Sequence, residues 1–85
     1  MMNITAKEME RANIIDMIDE ELIDMGFKYG LDYDKEETFS DECLEALWMV
    51  KKILTHKYPD LKESIKKIIW EIECDITDVI EEEWF

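Results

Sequence analysis

From Leu61 to Ile80, the residues Leu61, Ile65, Ile68, Ile69, Ile72, Ile76, Val79 and Ile80 recur at intervals of three and four. At about 100° per residue they gather on one face of an α-helix, whereas a strand would send alternate members to opposite sides. The pattern predicts a helix over about 61–83, with Asp60 as N-cap and Glu63 at N3. A face this apolar must be covered by other elements of the chain.

Two further segments have the periodicity to cover it. Residues 5–25 read as a helix, with Thr5 and Glu8 as a capping box and Gly26 at the C′ position. Ile4, Ile14, Ile15, Ile18, Leu22 and Met25 share one face of it, and Arg11 is expected to lay its stem over the core edge. Residues 41–57 read as another helix, with Ser40 as N-cap and Phe39 placed to staple onto Leu44. Its apolar arc is wide: Cys43, Leu44, Leu47, Trp48, Val50 and Leu54, with Met49 and Ile53 behind. Tyr58-Pro59 ends it, because the residue before proline is driven out of the helical region. The expected fold is all-α, one domain over 1–85: a small antiparallel three-helix bundle (about 5–25, 41–57, 61–83) ordered up–down–up. Two glycines and one proline in 85 residues suit so helical a chain.

Residues 26–40, "GFKYGLDYDKEETFS", alternate Phe27, Tyr29, Leu31 and Tyr33 with other residues. One strand would have no pairing partner in the chain, so a long aromatic and acidic loop pressed onto the bundle is expected, with pairing of two copies through this edge as the lesser reading.

Twenty-three acidic residues against ten basic ones leave a net charge of −13. Such a chain repels nucleic acid and anionic membranes, and attracts a basic partner. No apolar run nears the roughly 20 residues of a membrane span, and the first residues lack a signal-peptide core. Cys43 and Cys74 have neither CxxC nor metal-site spacing, which fits reduced thiols in the cytoplasm.

In an up–down–up bundle the carboxylates collect at one pole. Asp19, Glu20, Glu21 and Asp24, then Asp32, Asp34, Glu36 and Glu37, then Asp41, Glu42 and Glu45, then Asp75, Asp78, Glu81, Glu82 and Glu83 would share it, with Lys7, Arg11, Lys51, Lys52, Lys57, Lys62, Lys66 and Lys67 at the other. The helix macrodipole makes this costly. The first and last helices both finish in carboxylates, each unfavourable by about 0.3–1 kcal/mol near a helix C-terminus. Residues 71–85 hold seven carboxylates and no lysine or arginine. At 1.5 Å rise per residue that is one charge per roughly 3.2 Å, close to the approximately 3.4 Å of a nucleic-acid strand. Glu71, Asp75, Asp78 and Glu82 form one row outside the isoleucine stripe, and Trp70 and Trp84 are expected beside it as apolar anchors.

Several other signals are weak. "DYDKEETFSDEC" places Asp32, Asp34 and Glu36 as an EF-hand loop would, but Glu37 occupies the glycine position and Cys43 the bidentate position, so no calcium is expected. His56, the sole histidine, has Ile53 rather than glutamate three residues before it, so a di-iron site is not expected either. No cofactor, metal or catalytic residue is assigned, and no enzyme is expected. The lysines of 51–67 are expected to pair with nearby acids, for example Lys67 with Glu63.

In size and acidity the chain resembles the broad group of small phage and plasmid inhibitors that imitate nucleic acid, including anti-CRISPR and anti-restriction proteins, and also the nuclease immunity proteins. The resemblance covers no motif and implies no residue roles. The expected function is a non-enzymatic inhibitor that binds a basic, nucleic-acid-binding surface of a partner protein. Glu71, Asp75, Asp78, Glu81, Glu82 and Glu83 would supply charge, Asp32, Asp34, Glu36 and Glu37 a second patch, and Trp70 and Trp84 the anchors. The alternative is a helical homodimer or adaptor joined through Met49, Ile53, Trp70 and the 27–33 segment.

Overall fold

The computed structural model describes residues 6–83, save the side chain of Glu83. Three helices form: α1 (Ala6–Asp24), α2 (Asp41–Lys57) and α3 (Lys62–Glu83). There is no strand among the described residues, so the 27–33 alternation resolves into turns followed by a short 3-10 helix at Glu36–Thr38. Thr5 and Ile4, and with them the expected capping box, lie outside the described residues.

Local chemistry sets the helix ends. At the end of α1 the Gly26 N–H donates to the Ile23 carbonyl (3.0 Å) and the Phe27 N–H to the Leu22 carbonyl (3.0 Å), the paired bonds of a Schellman cap. Gly26 stands at φ +104°, as a C′ glycine should. At the start of α2, Ser40 Oγ accepts from the Cys43 N–H at 3.2 Å and donates to the Glu37 carbonyl at 2.7 Å. The start of α3 differs from expectation. Asp60 is not its N-cap, because Pro59–Leu61 forms a 3-10 turn that runs straight into the α-helix at Lys62. Proline suits such a turn, since its missing N–H costs nothing there.

The core is built by Ile14, Ile18 and Leu22 of α1, Cys43, Ala46, Leu47, Val50 and Leu54 of α2, and Ile65, Ile68, Ile69, Ile72 and Ile76 of α3. Each fully buried isoleucine or leucine contributes about 1.5–3 kcal/mol. Phe27, Leu31 and Phe39 pack partly against this core, which ties the connection between α1 and α2 to the bundle. Two expected core residues are corrected: Trp48 is 49% exposed and Met25 37% exposed. Arg11 borders a groove with Ile68, its guanidinium held by Glu71 on α3. Trp48 lies too far around α2 for α3 to cover it, and Met25 falls at the cap where α1 leaves the bundle.

The arrangement of α1 also bears on charge. Lys7, Glu8, Glu10 and Arg11 border a groove with Ser64, Lys67, Ile68 and Glu71 of α3. Glu21, near the other end of α1, reaches Lys57 at the carboxyl end of α2. An up–down–up ordering would separate Glu21 and Lys57 by most of the length of α2.

Candidate protein interaction site

On α3 the positions of Glu71, Asp75, Asp78 and Glu82 differ by four, three and four residues, the spacing that stacks side chains along one flank of a helix. Glu71 is partly buried; Asp75, Asp78, Glu81 and Glu82 are exposed. The flank faces α1 and the 26–40 segment. Arg11 Nη1 donates to Glu71 Oε2 at 2.6 Å, and one turn on, the Tyr33 hydroxyl donates to Asp75 Oδ2 at 3.3 Å. Burial raises the Tyr33 phenol above its ordinary value, and the Asp75 carboxylate raises it further, so the hydroxyl stays protonated and able to donate.

The second acidic patch therefore adjoins the first. Its backbone is shaped by its own side chains: the Asp34 N–H donates to Asp32 Oδ1 at 2.9 Å, and the Asp32 N–H to the buried Thr38 Oγ1 at 3.0 Å. Asp34 and Glu36 are exposed, Asp32 and Glu37 partly so. The first of these bonds occupies Asp32 Oδ1 within the turn. The Tyr33 and Phe39 rings stack with centroids 5.7 Å apart. Together with Asp75, Asp78 and Val79 they line a groove between this segment and α3.

Upstream, Gly30 and Asp19 lock the segment to α1. Asp19 Oδ1 accepts from the Leu31 N–H at 2.6 Å. Gly30 stands at φ +60°, and a Cβ there would meet the Asp19 carboxylate, its Cγ at 2.8 Å. Lys28 and Lys35 lie over the Tyr29 ring at 5.4 and 4.6 Å.

The two-pole charge map needs correction. Lys57–Glu21 joins a base and an acid assigned to opposite poles, and Arg11 reaches Glu71 midway along α3. The cause is the course of α1, whose two ends meet α3 and the end of α2. Beyond Glu71 the acidic flank is different: among the described residues no lysine, arginine or histidine nitrogen comes within 4.0 Å of Asp75, Asp78, Glu81 or Glu82. The expected Glu63–Lys67 pair does not form among the described residues either.

Trp70 is 64% exposed, but it does not stand beside the acidic row. It shares a groove on the opposite flank of α3 with Lys51, Lys66, Lys67, Glu63 and Glu73, and one Glu73 oxygen is buried there without a hydrogen-bond partner. The angular position of residue 70, about 100° per residue from its neighbours, was enough to place it there. Trp84 lies outside the described residues. On α2, Leu44, Glu45, Trp48 and Met49 line a shallow apolar groove, with Lys52 Nζ 3.8 Å above the Trp48 ring.

Burial pushes the Cys43 thiol up to about 11, with the Glu37 charge adding to it. A thiol so placed is a poor nucleophile at neutral pH. No group of three or more potential metal ligands occurs among the described residues, and no helix among them is long and apolar enough to cross a membrane. No protein-family model matches the chain, and no curated protein or solved structure matches it significantly.

Proposed function

We propose that the protein is a non-enzymatic inhibitor of the nucleic-acid-mimicking kind, whose acidic surface occupies the basic, nucleic-acid-binding surface of a partner protein. That partner would be a nuclease or a CRISPR or restriction effector, as for anti-defence or immunity proteins, and the setting the cytoplasm. We read the supporting fold as an antiparallel α2–α3 hairpin with α1 laid across it. The observation that carries the reading is the contact of Tyr33 with Asp75, which merges the 32–37 patch and the carboxyl half of α3 into one anionic face. Binding through such a face is fast and salt-sensitive, because attraction acts before contact.

The test is affinity capture on the immobilised protein, with washes at low and then high salt. A variant carrying Asp75→Lys, Asp78→Lys and Glu82→Lys, with Glu71 kept for Arg11, serves as control once its helical circular dichroism is verified. Nucleic-acid-binding proteins released by salt from the wild type and absent from the variant support the reading. Equal recovery on both rejects it.

A second reading, a homodimer or adaptor, is favoured by the exposure of Trp48 (49%), Met49 (47%) and Trp70 (64%). A dimer in sedimentation that is indifferent to salt and lost on Trp70→Ser or Met49→Ser would establish it.

A further inference from the structure

The groove between the 33–39 segment and α3 contains more than charge. Its floor is the stacked Tyr33–Phe39 pair and Val79; its rim is Asp75 and Asp78, one turn apart on α3. Carboxylates alone attract any cation. A flat aromatic surface beside a pair of carboxylates discriminates, because a guanidinium is planar, weakly hydrated and forked, whereas an ammonium is a compact hydrated point charge. The same row of α3 already receives a guanidinium within the chain: Arg11 sits on Glu71 at 2.6 Å, one turn before Asp75. Asp75 and Asp78 continue that row without a cation among the described residues. The Tyr33 hydroxyl holds Asp75 Oδ2, which leaves Asp75 Oδ1 and both Asp78 oxygens for an incoming donor.

We propose that this groove is a receptor for an arginine side chain of the basic partner, the guanidinium bridging Asp75 and Asp78 with its face on the Tyr33 ring. The proposal rests on the reading of an anionic binding face and names the residue type that face selects. Arginine is the side chain that basic proteins aim at phosphates in bidentate fashion, so a groove that accepts it takes the place of a phosphate.

The experiment titrates the full-length protein, followed by amide and aromatic NMR shifts, with tetra-arginine and tetra-lysine peptides of equal charge at near-physiological salt. The arginine peptide should bind about tenfold more tightly, with the largest shifts at Tyr33, Phe39, Asp75 and Asp78. In Asp75→Asn/Asp78→Asn the preference should vanish; in Tyr33→Leu it should shrink while lysine binding holds. Equal affinity for the two peptides would overturn the arginine receptor and leave the anionic face standing. A preference that survives Asp75→Asn/Asp78→Asn would overturn it as well. Failure of both peptides to bind would overturn the receptor and the proposed function together.

Discussion

Helices α1 and α3 both end in carboxylates, against the direction their dipoles favour, yet the two ends are handled differently. At α1 the compensation is local: Lys57 reaches Glu21 at 3.3 Å, Asp19 accepts the Leu31 N–H at 2.6 Å, and a Schellman cap closes the carbonyls. At α3 the last turns carry exposed Glu81 and Glu82, with Asp78 just before them, and no cation meets them among the described residues. A terminus answered from within the chain serves the fold. One left unanswered is sustained by the core at a cost, and our reading assigns that cost to a partner.

The largest expected effect comes from breaking the α1 end. Gly30→Ala combines a left-handed backbone with a clash against Asp19 and should destabilise by roughly 2–4 kcal/mol in urea unfolding. Gly26→Ala, with open space around it, should cost about 1 kcal/mol. If the two glycine variants cost the same, Asp19 does not lock the segment.

Next comes pH. With its folded value raised from 9.0 to about 11, Cys43 is protonated in both states below pH 9, and its burial is then fully favourable. As pH rises from 9 the unfolded chain ionises first, so stability should fall by up to roughly 2–3 kcal/mol and level off above pH 11. Cys43→Ala should remove that part of the slope. An unchanged slope would mean that the segment over Cys43 opens easily. A smaller effect is expected of Lys57→Met, which takes away the cation at Glu21 and should cost about 0.5–1 kcal/mol, less at high salt.

The fold was legible in the sequence where one element decides it. The isoleucine stripe of α3, Ser40 as N-cap of α2 and Gly26 at the end of α1 all follow from local patterns, and all stand in the structure. Relations between elements were not legible. The course of α1 depends on packing, so Arg11 reaching Glu71 and Lys57 reaching Glu21 carry no sequence signature. The site divides in the same way. The row on α3 follows from helical spacing, but the Tyr33–Asp75 contact spans 42 residues and needs the fold. Trp48 was misjudged because hydrophobicity was read without asking which neighbour would cover that angle of the helix, and Trp70 is exposed but on the flank of α3 away from the acidic row.

The most direct measurement is the stability of Glu81→Lys/Glu82→Lys by urea unfolding at low salt. If the end of α3 is held against its own dipole and self-repulsion, this charge reversal should stabilise the protein by about 1 kcal/mol, a gain that fades as salt is added. A variant no more stable than the wild type would contradict the account, for the carboxylates would then cost the fold nothing and would need no partner to explain them.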